Sequence, residues 1–208
     1  SKIKSLEFEE GITEIGSYAF YRFKVAKAIS LPKSLEIIGD SSFCESSVIG
    51  TLTVPENVKI IKDWAFSNCG FTQIVISEGV EYIGFRAFAG INVETINIPA
   101  SVKTIDMQAF GFFGGIKNIN VAEENKFYCS VDGVLYTEDK TILVQFPLGR
   151  ADEFTVPEFV ETVGAYSFFN AKVTKITVPK NVKDIENTAF YHCIGTIIIE
   201  GQLNYIGD

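Results

Sequence analysis

A small residue followed by phenylalanine returns along this chain at almost constant spacing. The pairs are Ala19-Phe20, Ser42-Phe43, Ala65-Phe66, Ala87-Phe88, Ala109-Phe110, Ser167-Phe168 and Ala189-Phe190, with their phenylalanines 23, 23, 22, 22, 58 and 22 residues apart. Seven of the chain's 18 phenylalanines thereby fill one repeat position. A fixed period of about 20–50 residues marks an array of supersecondary units, each too small to bury an apolar face alone. Stacking the units buries a continuous core, Phe over Phe and Ile over Ile, and the product is a solenoid. The 58-residue interval reads as an insertion in the array, not as a lost period.

Every unit is built the same way. An apolar-x-apolar strand opens it, as in Ile29-Ser30-Leu31, Leu52-Thr53-Val54, Ile74-Val75-Ile76, Ile96-Asn97-Ile98 and Ile176-Thr177-Val178. That alternation points every second side chain inward. Pro32, Pro55, Pro99, Pro157 and Pro179 follow such strands. The proline ring fixes φ and removes a ladder donor, so the residue belongs at a strand exit. A second apolar pair comes next, as in Leu35-Glu36-Ile37-Ile38-Gly39 and Val80-Glu81-Tyr82-Ile83-Gly84. Its closing glycine recurs at Gly16, Gly39, Gly84, Gly164 and Gly207, whereas Lys62, Asp106 and Glu186 take that place in other units. The turn therefore favours glycine without requiring a positive φ. The small-Phe pair then plugs the coil.

Residues 123–150 break the period. Two apolar runs, Val131-Asp132-Gly133-Val134-Leu135-Tyr136 and Ile142-Leu143-Val144-Gln145-Phe146-Pro147, flank the polar Thr137-Glu138-Asp139-Lys140-Thr141. This pattern predicts a β-hairpin insertion. Inserted segments are often where function is added to a solenoid, but a hairpin this apolar reads first as an extension of the sheet. The chain stops at Asn204-Tyr205-Ile206-Gly207-Asp208, just before another Ala-Phe pair would fall. Residues 1–208 accordingly read as a single solenoid domain cut from a longer array.

The pattern I-x-I-P-x-x-V-x-x-I-G-x-x-A-F-x-x-C resembles the BspA-like leucine-rich repeats. It stands here as Leu52-Thr53-Val54-Pro55-Glu56-Asn57-Val58-Lys59-Ile60-Ile61-Lys62-Asp63-Trp64-Ala65-Phe66-Ser67-Asn68-Cys69, and again from Ile176 to Cys193. Asp132-Gly133-Val134-Leu135-Tyr136 with Leu143 and Pro147 is similar to that family's hairpin insertion. Departures are the three non-glycine turns and Glu9 in place of a proline. The resemblance implies a mostly β leucine-rich-repeat solenoid with short 3₁₀ or helical turns. It would form a right-handed curved array of coils about 22–23 residues long, carrying one inserted hairpin. It also implies a cell-surface or secreted, adhesion-type protein of host-associated bacteria and some protozoa, and it carries over no catalytic residues.

Chemistry of other kinds finds no foothold. The single histidine, His192, occupies the slot two residues past the phenylalanine, shared with Arg22, Glu45, Asn68, Gly90, Phe112 and Asn170, and reads as a turn residue. A Ser-His-Asp triad would have to use this one histidine, and no G-x-S-x-G elbow is present. Cys44, Cys69, Cys129 and Cys193 form no C-x-x-C pair, so neither a zinc site nor a dense disulfide framework fits, and buried free thiols are expected. Three residues past the phenylalanine stand Phe23, Ser46, Cys69, Ile91, Phe113, Ala171 and Cys193, an interior slot that makes Cys69 and Cys193 packing residues. No phosphate loop, dinucleotide fingerprint or EF-hand spacing occurs, and neither cofactor nor metal is called for. The net charge of −8 opposes nucleic acid or an anionic membrane as partner, and no apolar run approaches the ~20 residues of a membrane span. Ser1-Lys2-Ile3-Lys4 opens no signal peptide.

What remains is surface. The outward residues of the first strands include Glu7, Ser30, Thr53, Val75, Asn97, Asn120, Thr155, Thr177 and Ile198, flanked by Thr51, Gln73, Thr95, Asn118, Lys175 and Thr196. This ladder is small, polar and nearly uncharged. At about 4.8 Å per rung its length is on the order of 40 Å, suited to an extended partner. It contains neither Trp nor Tyr, which argues against sugar stacking. A second stripe runs through Ile37, Ile60, Tyr82, Thr104, Thr162, Asp184 and Tyr205; its first three members are apolar, either a contact patch or half-buried packing. The expected role is a non-enzymatic module that binds a protein ligand. A structural spacer within a longer surface array, or less favourably a carbohydrate-binding module, would use the same scaffold.

Overall fold

The computed structural model describes residues 6–24, 29–111 and 114–208. About eight turns of a β-solenoid stack through them, with two strand positions per turn. The opening strands of the units form the first ladder: Ile49–Val54 with Gly70–Ile76, Thr95–Ile98 with Asn118–Val121, and Phe154–Thr155 with Lys175–Val178 and Thr196–Ile199, all parallel. Ser30, in the second coil, contributes a single parallel bridge to Glu7. Two-residue strands form the second ladder, from Glu14–Ile15 through Ile37–Ile38, Ile60–Ile61 and Tyr82–Ile83 to Thr104–Ile105. It resumes with Thr162–Val163, Asp184–Ile185 and Tyr205–Ile206.

Between the ladders runs the phenylalanine column. Phe20, Phe43, Phe66, Phe88 and Phe110 stack ring on ring, with centroids 5.2, 5.4, 5.5 and 5.9 Å apart. Phe146, Phe168 and Phe190 form a second column at 5.0 and 5.3 Å. Phe146 is an eighth rung that the small-Phe rule passes over, because Gln145 stands where a small residue was expected. Its N–H donates to Ser167 O at 2.9 Å, the same bond that Phe66 makes to Ala87 O at 2.8 Å. The 58-residue interval thus contains a complete coil.

The turns around each phenylalanine are single hydrogen-bonded turns; among the described residues no helix forms. The backbone explains this. Residues two before and two after the phenylalanine take positive φ: Tyr18, Ser41, Trp64, Arg86, Gln108, Tyr166 and Thr188 before it, and Arg22, Glu45, Asn68, Gly90, Asn170 and His192 after it. A left-handed residue on either side stops a helical run. It also makes successive N–H groups point in alternate directions. In the third coil, Ala65, Ser67 and Cys69 donate back within the turn, whereas Trp64, Phe66 and Asn68 donate to Phe85, Ala87 and Ala89 of the next coil. The strain of non-glycine residues at positive φ is offset because these buried turns leave few backbone donors unpaired. Phe112, expected in the later slot, and Phe113, expected in the interior one, lie outside the described residues.

Glycine at the close of the second pair serves a different need. A Cβ on Gly39 would lie 2.6 Å from Ile15 O, and one on Gly164 2.7 Å from Leu143 O, so close approach of neighbouring coils selects the residue. In the small slot, Ser42 and Ser167 bury hydroxyls that find no hydrogen-bond partner. Ser167→Ala, which restores the alanine found in most coils, should raise stability by about 0.5–1 kcal/mol in chemical denaturation. A loss of stability would mean that the hydroxyl has a partner.

The insertion is a three-stranded antiparallel meander, Tyr128–Val131, Val134–Thr137 and Ile142–Gln145, where a two-stranded hairpin was expected. Asp132 and Gly133, with φ of 49° and 71°, form a tight turn that splits the run read as one strand. The third strand joins the second ladder through Leu143 and Val163. The middle strand is buried on both faces: Leu135 belongs to the core of the first five coils, Val134 and Tyr136 to that of the last three. It partitions the interior in two.

Candidate interaction face

Alternation in the first ladder sends Leu52, Val54, Ile74, Ile76, Ile96 and Ile98 into the core and turns their neighbours out. Thr53, Val75, Asn97, Asn120 and Thr155 are exposed there, and Thr177 is half-buried. Register brings them into rungs: Thr53 beside Val75, Asn97 beside Asn120, and Thr155 beside Thr177 and Ile198. The nine-rung face expected from the sequence is instead three panels, with Glu7 and Ser30 joined apart from them by their single bridge. No strand pairing joins Val75 to Asn97, and the meander separates Asn120 from Thr155.

Side chains run along the panels as well as backbone. Asn120 Nδ2 donates to Asn97 Oδ1 at 3.0 Å, and Thr51 Oγ1 donates to Gln73 Oε1 at 3.2 Å. Shallow grooves accompany them. One of about 450 Å³ is lined by Ser30, Thr51, Thr53 and Glu78, and another of about 410 Å³ lies between the strands of Gln73 and Thr95. A third, of about 340 Å³, lies beside Asn97 and Asn120. Charges at the entrance to the strands are neutralised in pairs, Lys117 with Glu94 at 2.7 Å and Lys175 with Glu153 at 3.7 Å. The Lys117 ammonium holds the Glu94 carboxyl below the usual carboxylate range. Such exposed pairs add little stability, and Lys33, Glu56 and Glu78 bring further charge to the first groove.

The three apolar members of the second stripe are half-buried. Ile37, Ile60 and Tyr82 pair in register along the second ladder, and the Tyr82 hydroxyl donates to Asp106 Oδ2.

All four cysteines are free thiols; Cys44 and Cys69 are buried, Cys129 and Cys193 half-buried. Cys69 donates to Phe43 O at 3.0 Å and Cys193 to Phe168 O at 2.9 Å, each to the preceding coil's phenylalanine. Ser46 makes the same bond to Phe20 O at 2.6 Å. Burial pushes the Cys69 thiol up to about 12 and the Cys193 thiol up to about 11, far from nucleophilic thiolates. His192 is exposed in its left-handed slot, its ring 4.1 Å from that of Tyr191. Among the described residues no three His, Cys, Asp or Glu side chains are grouped to hold a metal, and no helix is long and apolar enough to cross a membrane.

Comparison with known proteins agrees with this architecture. The model of the BspA type leucine rich repeat region matches in six copies over residues 1–112 and 147–208. Among curated proteins none matches. Solved structures similar to this chain include the following three. The pneumococcal vaccine antigen PcpA is 28% identical with a TM-score of 0.81, over 92% of this chain and 49% of that one. A leucine-rich repeat protein of Eubacterium ventriosum is 27% identical with a TM-score of 0.73, over 97% and 61%. A leucine rich cell surface protein of Faecalibacterium prausnitzii is 27% identical with a TM-score of 0.70, over 91% and 58%. The chain therefore spans about half to three-fifths of the length of these structures.

Proposed function

Because this chain belongs to the BspA-type leucine-rich repeat family, we propose that it is a non-enzymatic, surface-exposed or secreted module that binds a protein ligand. The ligand lies across the first-ladder face, along Thr53, Val75, Asn97 and Asn120 and on toward Thr155 and Thr177. The observation that carries this reading is the face itself: outward rungs that are mostly small and polar, grooved, and held in register by parallel strand pairing. A row of hydroxyl and amide groups pairs with an extended polypeptide without the desolvation cost of burying charge. Two of the similar structures are described as a vaccine antigen and a cell surface protein, which supports a surface or secreted location. The repeat family and the solenoid fold are typically non-enzymatic.

The test is a binding panel of purified extracellular-matrix and cell-surface proteins, read by surface plasmon resonance. The wild-type chain should bind at least one of them saturably. The triple variant Thr53→Lys/Asn97→Lys/Asn120→Lys should lose roughly tenfold or more in affinity while keeping the circular dichroism spectrum and cooperative unfolding of the folded chain. Saturable binding that survives the triple substitution would place the ligand elsewhere. A spacer would bind nothing on the panel.

A further inference from the structure

Where the second ladder breaks, a cleft opens between the two halves of the solenoid. Ile105 and Phe110 of the fifth coil form one wall, and Ile142 and Val144 of the meander's third strand form the other. Its volume is about 150 Å³, matching an apolar cavity that holds a benzene ring. Met107 lines it while remaining 53% exposed, an unusual position for a large apolar side chain.

Two carboxylates complete the lining. Asp106 is half-buried and Glu186 exposed. Each is anchored through one oxygen, Asp106 by the Tyr82 hydroxyl and Glu186 by the Ala165 N–H at 2.8 Å. Among the described residues no lysine, arginine or histidine lines the cleft. Arg86 is outside the lining: its Nε donates to Gln108 Oε1, and its guanidinium lies 4.8 Å from the Trp64 ring and 5.9 Å from that of Phe169 in the other half.

We propose that this cleft docks a polypeptide partner through one apolar anchor side chain flanked by lysine or arginine. A largely apolar pocket with two anchored carboxylates in its lining selects such a segment in two ways. The anchor gains by leaving water and filling walls already formed. The flanking cations pair with Asp106 and Glu186, and the chain's net charge of −8 steers them in. Acidic segments are rejected by the same two carboxylates. All the lining residues belong to the second ladder and the phenylalanine turns, so this site is separate from the first-ladder face and stands or falls without it.

Met107 is the only methionine in the chain, so [¹³Cε]methionine labelling places one methyl resonance at the cleft. The titrants are Ac-Lys-Phe-Lys-NH₂, Ac-Glu-Phe-Glu-NH₂, Ac-Lys-Ala-Lys-NH₂ and phenethylamine. The expected result is a saturable shift of the Met107 methyl with Ac-Lys-Phe-Lys-NH₂, weakened roughly tenfold when either the phenyl ring or the positive charges are missing. The variant Asp106→Asn/Glu186→Gln keeps both anchoring acceptors and should show the same weakening. Raising the salt from about 50 to about 500 mM should weaken binding in wild type and much less in the variant. The proposal is overturned by no response to Ac-Lys-Phe-Lys-NH₂, or by an equal response to the acidic peptide. Phenethylamine binding as tightly as the peptide would make the cleft a small-molecule site. A Met107 shift that follows protein concentration without peptide would make it a contact between copies.

Discussion

Phe66→Ala should lower the free energy of unfolding by about 3–5 kcal/mol, a large part of the total for a domain of this size. Phe66 is fully buried, stacked between Phe43 and Phe88 at 5.4 and 5.5 Å and met edge-on by Phe71 at 5.9 Å. Truncation removes the ring's own transfer energy and leaves a hole that adjacent coils cannot close, because their backbones are tied by the bonds of Trp64, Phe66 and Asn68 to the next turn. Phe20→Ala is the comparison. Phe20 is only half-buried and stacks on one rung, Phe43, so its loss should be distinctly smaller. Urea denaturation followed by circular dichroism measures both. Equal losses would mean that the coils are not stabilised by stacking on two sides, contrary to nearest-neighbour behaviour.

The partition strand carries the second large effect. Leu135 and Tyr136 are consecutive and both buried, yet they face opposite cores. Leu135→Ala should cost about 2–5 kcal/mol and Tyr136→Ala about 3–5 kcal/mol, but in different places. Hydrogen–deuterium exchange should report faster opening of the first five coils for Leu135→Ala, and of the coils after Phe146 for Tyr136→Ala. The backbone bonds Ile119 N–H to Gly133 O at 2.8 Å and Gly149 N–H to Ile116 O at 2.7 Å still hold the halves together in both variants. Identical exchange maps for the two variants would show one undivided core.

The division of labour between these residues explains what was legible in the chain. Periodicity reports which side chains point inward, so the phenylalanine column, the outward rungs at Thr53, Val75, Asn97 and Asn120, and the packing slot of Cys69 and Cys193 could all be read from it. Backbone direction leaves a weaker trace. The left-handed residues before the phenylalanine include Tyr18, Trp64, Arg86 and Thr188, a set with no glycine or asparagine to announce it, because inter-coil bonds impose the conformation. Phe146 was hidden by Gln145, although its position 22 residues before Phe168 marks it as a rung. The meander's extra strand was signalled by Asp132-Gly133, whose turn chemistry outweighs the apolar run around it. Breaks in the first ladder are set by which coils pair with one another, and a single coil's residues carry no sign of them. The cleft beside Met107 has the same origin: its walls come from residues about 35 apart, brought together only by the meander.

The central claim is that the first-ladder face receives a protein ligand, and a hydrogen-exchange footprint of the complex tests it most directly. With the ligand that gives saturable binding on the panel, the account predicts slowed exchange in the strands Ile49–Val54, Gly70–Ile76, Thr95–Ile98 and Asn118–Val121, with the second ladder unchanged. Protection confined to the second ladder or the phenylalanine turns, or a panel with no saturable ligand, would contradict it.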